Sequence, residues 1–283
     1  MTVPFRHVLL EFGDAQITAS NRDDAWVVES LGGWFGGVGV KGDRTARLGH
    51  GDFSAPNKRT GRSMTLSLLW VGDSGARDHV SRALSGLFSD GEEGTLTATV
   101  GDLTLTAERV TLDGEVGIAE VGTAGVRAQI PLHAADPFLY GPDRETTLKP
   151  IGAGVGFDFV PFSRDLGKGP VLTFGTAIDT TEFVWNDGNA ESFPVFTVTA
   201  DAPGGFSVAL GNEWVTYPWP AFPDMPVSVD MSGALTVSGM DQTHLVGGRD
   251  WASVPPASVE APTFEFLQGG TGFCVVTHRD TYL

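Results

Sequence analysis

Apolar and polar residues alternate along much of this chain, and the clearest case lies near its middle. Val126, Ala128, Ile130 and Leu132 alternate with Arg127, Gln129 and His133, the period-two pattern of a strand with one buried face. Asp136-Pro137 then ends the ladder, because proline donates no N–H and restricts the residue before it. Met64 to Trp70, M-T-L-S-L-L-W, alternates as strongly. Residues 1–12 and 25–31 read as strands, with N-R-D-D at 21–24 as the turn between them. The glycines of G-G-W-F-G-G-V-G-V permit backbone conformations closed to other residues, and a loop continues through Gly61. One helix is expected, at about 76–88: Val80, Ala83, Leu84, Leu87 and Phe88 fall at helical spacing, and Ser74 is placed to cap its N-terminus. G-E-E-G at 91–94 reads as a turn, and T-L-T-A-T-V and L-T-L-T-A-E-R-V as further strands.

The second half has a different texture. It is poorer in basic residues, richer in aromatics, and shows no helix of useful length after Leu148. Short alternating runs, F-P-V-F-T-V-T, G-F-S-V-A-L, M-P-V-S-V-D, A-L-T-V-S, P-T-F-E-F-L and F-C-V-V-T-H, are separated by glycine-rich or proline-rich turns. Such spacing predicts a β-sandwich or jelly roll. The fold class is therefore mainly β, with an N-terminal sandwich-like domain carrying the helix and a C-terminal sandwich. The polar, turn-rich stretch between Tyr140 and Pro150 sets the expected boundary, giving domains 1–145 and 146–283. No repeat of fixed period is visible, which argues against a propeller or solenoid.

Composition narrows the function classes. The chain has 283 residues, 41% of them apolar and 10% aromatic, enough for two globular cores. No run approaches the roughly 20 apolar residues that span a bilayer, so no membrane partner is expected. The N-terminus, M-T-V-P-F-R-H-V-L-L-E-F, lacks the ordered regions of a signal peptide, so synthesis in the cytoplasm is expected. The single cysteine, Cys274 in G-F-C-V-V, allows no disulfide framework and reads as a core thiol. A formal charge of −17 disfavours nucleic-acid binding.

One local exception is basic. Lys41, Arg44, Arg47, Lys58, Arg59 and Arg62 stand against only Asp43 and Asp52. This stretch is either a solvated loop or a surface that docks on an acidic neighbour, such as another copy of the chain. The aromatic patch Trp214-Val-Thr-Tyr-Pro-Trp-Pro-Ala-Phe222 also has two readings. Trp214, Tyr217 and Trp219 can form a platform for sugar rings, which would make the second half a carbohydrate-binding module. The favoured reading buries them in the sandwich core or a subunit interface.

Candidate catalytic features weigh little. Gly72-Asp73-Ser74-Gly75 imitates a trypsin-like nucleophile signature, but Ala76-Arg77 and a helix follow, and the helix cap accounts for Ser74. Gly152-Ala-Gly-Val-Gly156 imitates a dinucleotide turn, yet Lys149-Pro150 precedes it and F-D-F-V-P-F follows, so the strand and helix that mechanism needs are absent. The six histidines are scattered without metal-ligand spacing, and no calcium-loop pattern occurs. No enzyme activity, cofactor or metal is expected.

Several segments, in order, resemble the distal tail (Dit) proteins, minor tail proteins of long-tailed, siphovirus-like phages. They are Gly32-Gly33-Trp34-Phe35-Gly36, then L-G-H-G-D-F leading to R-S-M-T-L-S-L, the helix near 76–88, and A-D-P-F-L-Y-G at the junction. In the second half N-x-G-N-A-x-S-x-P-V-F-T-V-T at 186–199 and Gly248-Arg249-Asp250-Trp251-Ala252 followed by S-V-P-P continue the series. A departure is the shortened turn V-D-M-S-G-A-L-T-V. The resemblance implies an N-terminal domain forming a hexameric ring, a galectin-like C-terminal sandwich, and a virion location at the tail tip. The ring would join the tail tube to the tip hub and leave a channel through which DNA passes without specific binding. Asp136, Pro137, Tyr140 and Gly141 would be junction residues with no chemistry of their own.

Overall fold

A computed structural model of the chain describes residues 5–13, 15–20, 26–36, 38–42, 45–46, 50, 52–53, 58–87, 91–151, 158–160, 171–173 and 182–283. It divides into two compact units, Met1–Pro142 with Tyr282–Leu283, and Asp143–Thr281. Both are built almost wholly of antiparallel strands.

Unit 1 contains β1 (Phe5–Phe12), β2 (Ala15–Ser20), β3 (Trp26–Gly32), β4 (Val38–Lys41), β5 (Thr45–Ala46), β6 (Asp52–Phe53) and β7 (Lys58–Val71). Helix α1 (Arg77–Ser85) follows, then β8 (Gly94–Val100), β9 (Leu103–Leu112), β10 (Gly117–Val121), β11 (Gly125–Ala134) and β12 (Leu139–Tyr140). The main sheet runs β2-β1-β8-β9-β11-β7-β3, with β10 added to β11, β4 to β7 and β12 to β9. Alternation does the sorting. Val8, Leu10 and Phe12 of β1, Leu66 and Leu68 of β7, and Val126, Ala128, Ile130 and Leu132 of β11 all point into one core. Their polar neighbours take the other face, where Thr97 and Thr99 of β8 bond Thr106 and Thr104 of β9 at 2.9 Å.

The helix is shorter than its spacing suggests, and Ser74 does not cap it. Asp73 Oδ1 accepts the Gly75 N–H at 3.2 Å and the Ser74 hydroxyl at 3.4 Å, while Ala76 occupies the N-cap with no side-chain bond. A carboxylate is the stronger acceptor, so Asp73 organises this turn. Leu84 is buried, and Ala76, Val80 and Leu87 pack beside it on the same core; Phe88 lies outside the described residues. Strands β2, β10 and β12 went unanticipated, and the expected loop before Gly61 already contains β4, β5, β6 and the start of β7.

Unit 2 contains β13 (Arg144–Leu148), β14 (Asp158–Val160), β15 (Val171–Thr173), β16 (Val184–Asn186), β17 (Val195–Asp201), β18 (Phe206–Leu210) and β19 (Glu213–Tyr217). After these come β20 (Val227–Asp230), β21 (Ala234–Val237), β22 (Met240–Asp241), β23 (Gly248–Arg249), β24 (Ser258–Glu260), β25 (Pro262–Phe266) and β26 (Thr271–His278). Strand β27 (Thr281–Tyr282) follows, its Thr281 the last residue of unit 2 and its Tyr282 part of unit 1. One sheet runs β13-β26-β17-β20-β21-β22 and another β23-β19-β18-β25. Phe196, Val198, Val229 and Val276 from the first and Phe206, Val208, Val215 and Phe264 from the second share a single core. The Phe206 and Phe264 rings meet edge-on at 6.0 Å, a geometry that adds to area burial. This is the sandwich that the alternating runs predict.

Candidate functional site

The segment after β11 is built around two side chains. Asp136 Oδ1 accepts the Phe138 N–H at 3.0 Å and its Oδ2 accepts the Tyr140 hydroxyl at 2.7 Å. The carboxylate thus holds a local turn that mimics a backbone turn, with Pro137 preventing the strand from continuing. The Pro137 carbonyl faces inward and accepts from Arg62 Nε at 3.1 Å and Nη2 at 2.8 Å. Arg62 Nη1 donates in turn to the carbonyls of Gly33, at 3.3 Å, and Trp34.

Arg62 therefore does not belong with the exposed basic residues. It is fully buried, and burial pulls its guanidinium pKa below the ordinary value while the Asp136 charge works against that shift. A buried cation is costly unless its donors are satisfied, and here the carbonyls of two separate turns satisfy them. One of those turns needs its glycine: Gly33 sits at φ +76°, and a Cβ there would strike the Ser63 carbonyl. Period-two phase was the available signal. Arg62, Met64, Leu66, Leu68 and Trp70 are all buried on β7, so the alternating run extends one step further back than Met64. Of the other basic residues, Lys41, Lys58 and Arg59 are exposed, and Arg44 and Arg47 lie outside the described residues.

A second buried hub holds unit 2. Asn186 Nδ2 donates to the carbonyls of Ala190 at 2.7 Å, Val254 at 3.1 Å and Pro255 at 3.3 Å, and its Oδ1 accepts from Gly188 and Thr281. Ser192 Oγ bonds the Arg279 carbonyl, and the Ala190 N–H bonds that of Thr281. A Cβ on Gly188 would strike the Thr281 carbonyl. The N-x-G-N-A-x-S motif is thus a strap over the end of the chain. Beside it Arg144 bonds Asp280 at 2.6 Å and lies 4.6 Å over the Trp185 ring, whose other neighbour is the buried His278 at 5.0 Å.

The aromatic patch does not assemble into one platform. Trp214 and Tyr217 sit on opposite faces of β19, because they lie three positions apart on a period-two strand. Tyr217 is 5% exposed and packs at 5.4 Å against Phe206 in the core, where burial raises its pKa. Trp214 (42%) and Trp219 (50%) remain at the surface, and the Trp219 indole N–H donates to the Leu245 carbonyl at 3.1 Å.

Catalytic and metal chemistry find no assembled group among the described residues. No set of three His, Cys, Asp or Glu side chains converges, and Ser74 contacts Asp73 without a histidine. Ser63 and His133 face each other at 3.4 Å as cross-strand partners of β7 and β11. Cys274 is buried, and its thiol pKa is pushed far up by desolvation, the opposite of an activated nucleophile. Gly152 to Gly156 lies outside the described residues.

Two units of antiparallel strands, one α-helix among the described residues, and turns clamped by a buried arginine and a buried asparagine make this a mainly β protein. The fold is similar to that of the Dit protein of phage SPP1, described as a paradigm of the hub adsorption apparatus in phages infecting Gram-positive bacteria. The two share 13% identity over 98% of this chain and 99% of that one, with a TM-score of 0.57. Chains of the phage P2 baseplate in its activated conformation, with Ca and with Sr, align at 10% and 12% identity. Each alignment covers 96% of this chain and 97% of the other, with TM-scores of 0.48. No protein-family model and no curated protein matches the sequence.

Proposed function

We propose that this chain is a structural subunit of a phage tail tip, a distal tail protein. Its copies form a ring, hexameric in the simplest reading, that joins the tail tube to the tip hub. The observation that carries this reading is the end-to-end likeness in fold to the SPP1 Dit protein, covering nearly all of both chains. The ordered motifs support it independently of the fold. The G-G-W turn, the A-D-P turn and the N-x-G-N strap are each held by a buried polar hub, so they are motifs of architecture.

In this reading unit 1 forms the ring and unit 2 is the galectin-like domain. The acidic balance suits a channel through which DNA slides, since a basic lining would grip phosphates in a salt-dependent way. The role is mechanical, without catalysis or cofactor, and the protein enters the virion after synthesis in the host cytoplasm. Negative-stain microscopy and mass photometry of the purified protein test it. Closed rings are expected; a particle that stays monomeric at high concentration, with no ring in assembled tails, would refute the reading.

A further inference from the structure

Strand β7 runs on beyond the sheet that holds it. Strand β11 accompanies it only to the Ala134–Arg62 pair, while β7 reaches back to Lys58 against β4 alone, through Val38–Arg62, Val40–Arg59 and Lys41–Lys58. The result is a two-stranded ribbon, and among the described residues β4 pairs with β7 alone. Lys41, Lys58 and Arg59 are exposed on it, as is Val40 at 61%. Among the described residues none of these three cations makes an ion pair. Lys41 and Lys58 stand directly opposite each other, an arrangement that repels across strands. An anionic surface brought against the ribbon would relieve that repulsion.

The root of the ribbon is held by side-chain bonds. Arg62, the first residue of β7 inside the sheet, is bonded to the carbonyls of Gly33, Trp34 and Pro137. A step outward, the Gly39 N–H donates to Thr60 Oγ1 at 3.2 Å. The direction of the ribbon is therefore set by a buried guanidinium.

We propose that this ribbon is the arm by which one copy of the chain grips the next. Lys41, Lys58 and Arg59 meet carboxylates of the neighbouring copy, and Arg62 is the positioning residue that aims them. The inference rests on the ring reading above and names the contact that closes it. Charge complementarity selects the occupant, because a chain of net charge −17 offers acidic surface to its own basic arm. A contact between an arm on one copy and a different surface on the next is heterologous, the kind that generates rings when the rotation closes. Nucleic acid suits the ribbon less, since three cations on so acidic a chain leave the overall field repulsive.

The test uses the full chain, the triple variant Lys41→Glu/Lys58→Glu/Arg59→Glu, and Arg62→Gln, each followed by mass photometry over a concentration series and by thermal melting. The triple variant should keep the parental melting temperature yet need at least about tenfold more protein to form rings. Arg62→Gln, which retains all three exposed charges, should melt earlier and also weaken rings below its own melting point. Rings from the triple variant at parental concentrations would overturn the arm while leaving the ring reading intact. A parent chain that never leaves the monomer overturns both. Retention of double-stranded DNA by the parent, lost in the triple variant, would assign the ribbon to nucleic acid instead.

Discussion

Arg62 shows how much a single position decides in unit 1. Its guanidinium replaces backbone pairing for three carbonyls in two turns, and buried acceptors left without donors each cost free energy. Arg62→Met keeps the volume and removes every donor, so a loss of about 3 kcal/mol is expected from urea unfolding. Arg62→Lys should rescue little of it, because one ammonium cannot span both turns. Tyr140→Phe removes the hydroxyl that bonds Asp136 and should cost about 1 kcal/mol. His278 governs a pH dependence in unit 2. Burial lowers its pKa, as does the nearby Arg144 charge, with the Val276 backbone and the Asp280 charge opposing; the Trp185 ring packs edge-on against it. Because the folded-state pKa is depressed, the unfolded chain takes up a proton below about pH 6.5 that the folded one refuses. Stability should therefore be full above that pH and fall as pH drops toward the folded-state pKa. Melting curves on parent and His278→Leu check this: the variant should lose the acid-side slope, and an unchanged slope would refute the assignment.

At the scale of elements, alternation carried most of the information. Strands β7, β11, β17, β20 and β26 were legible because their inward positions are large and apolar and their outward ones polar. Strands β2 and β10 were not, since alanine and glycine give little contrast between faces, and only register with β1 and β11 reveals them. Arg62 was legible in phase but not in type: a cation in a run of basic residues reads as surface, and only three-dimensional proximity to carbonyls explains it. Ser74 failed for a related reason, as the preceding Asp73 competes for the same turn. Asn186 was marked by its motif but not by its role, which depends on Thr281, far along the chain. That role is testable. Asn186→Ala should cost unit 2 about 3 kcal/mol by leaving buried backbone groups unpaired. Asn186→Asp should fare no better: it keeps the acceptor for Gly188 and Thr281 but turns a carboxylate oxygen toward the carbonyls of Ala190 and Val254. If the Asp variant is as stable as the parent in urea, the amide donors contribute nothing.

At the scale of the whole molecule, unit 2 is set into the chain of unit 1, which resumes for Tyr282 and Leu283. The two ends of unit 2 are adjacent because β13 and β26 pair antiparallel, with Arg144 opposite His278. Arg144 bonds Asp280 through both terminal nitrogens, at 3.1 Å and 2.6 Å, and also bonds the Trp185 carbonyl. Asp280 additionally accepts the Asp187 N–H at 2.7 Å. A bidentate, partly buried ion pair holds geometry better than an exposed one, so the ends are clasped from within the unit. Its core is likewise its own, running from Leu148 to Val276, and its length suits an independent domain. Residues 143–281 produced alone should therefore fold and melt in one cooperative transition. Asp280→Ala in that fragment should lower the melting temperature by several degrees, since it releases both Arg144 and the Asp187 N–H. A fragment without a cooperative transition would mean that unit 2 depends on the rest of the chain. A transition untouched by Asp280→Ala would mean that the sandwich core, not the clasp, keeps the ends together.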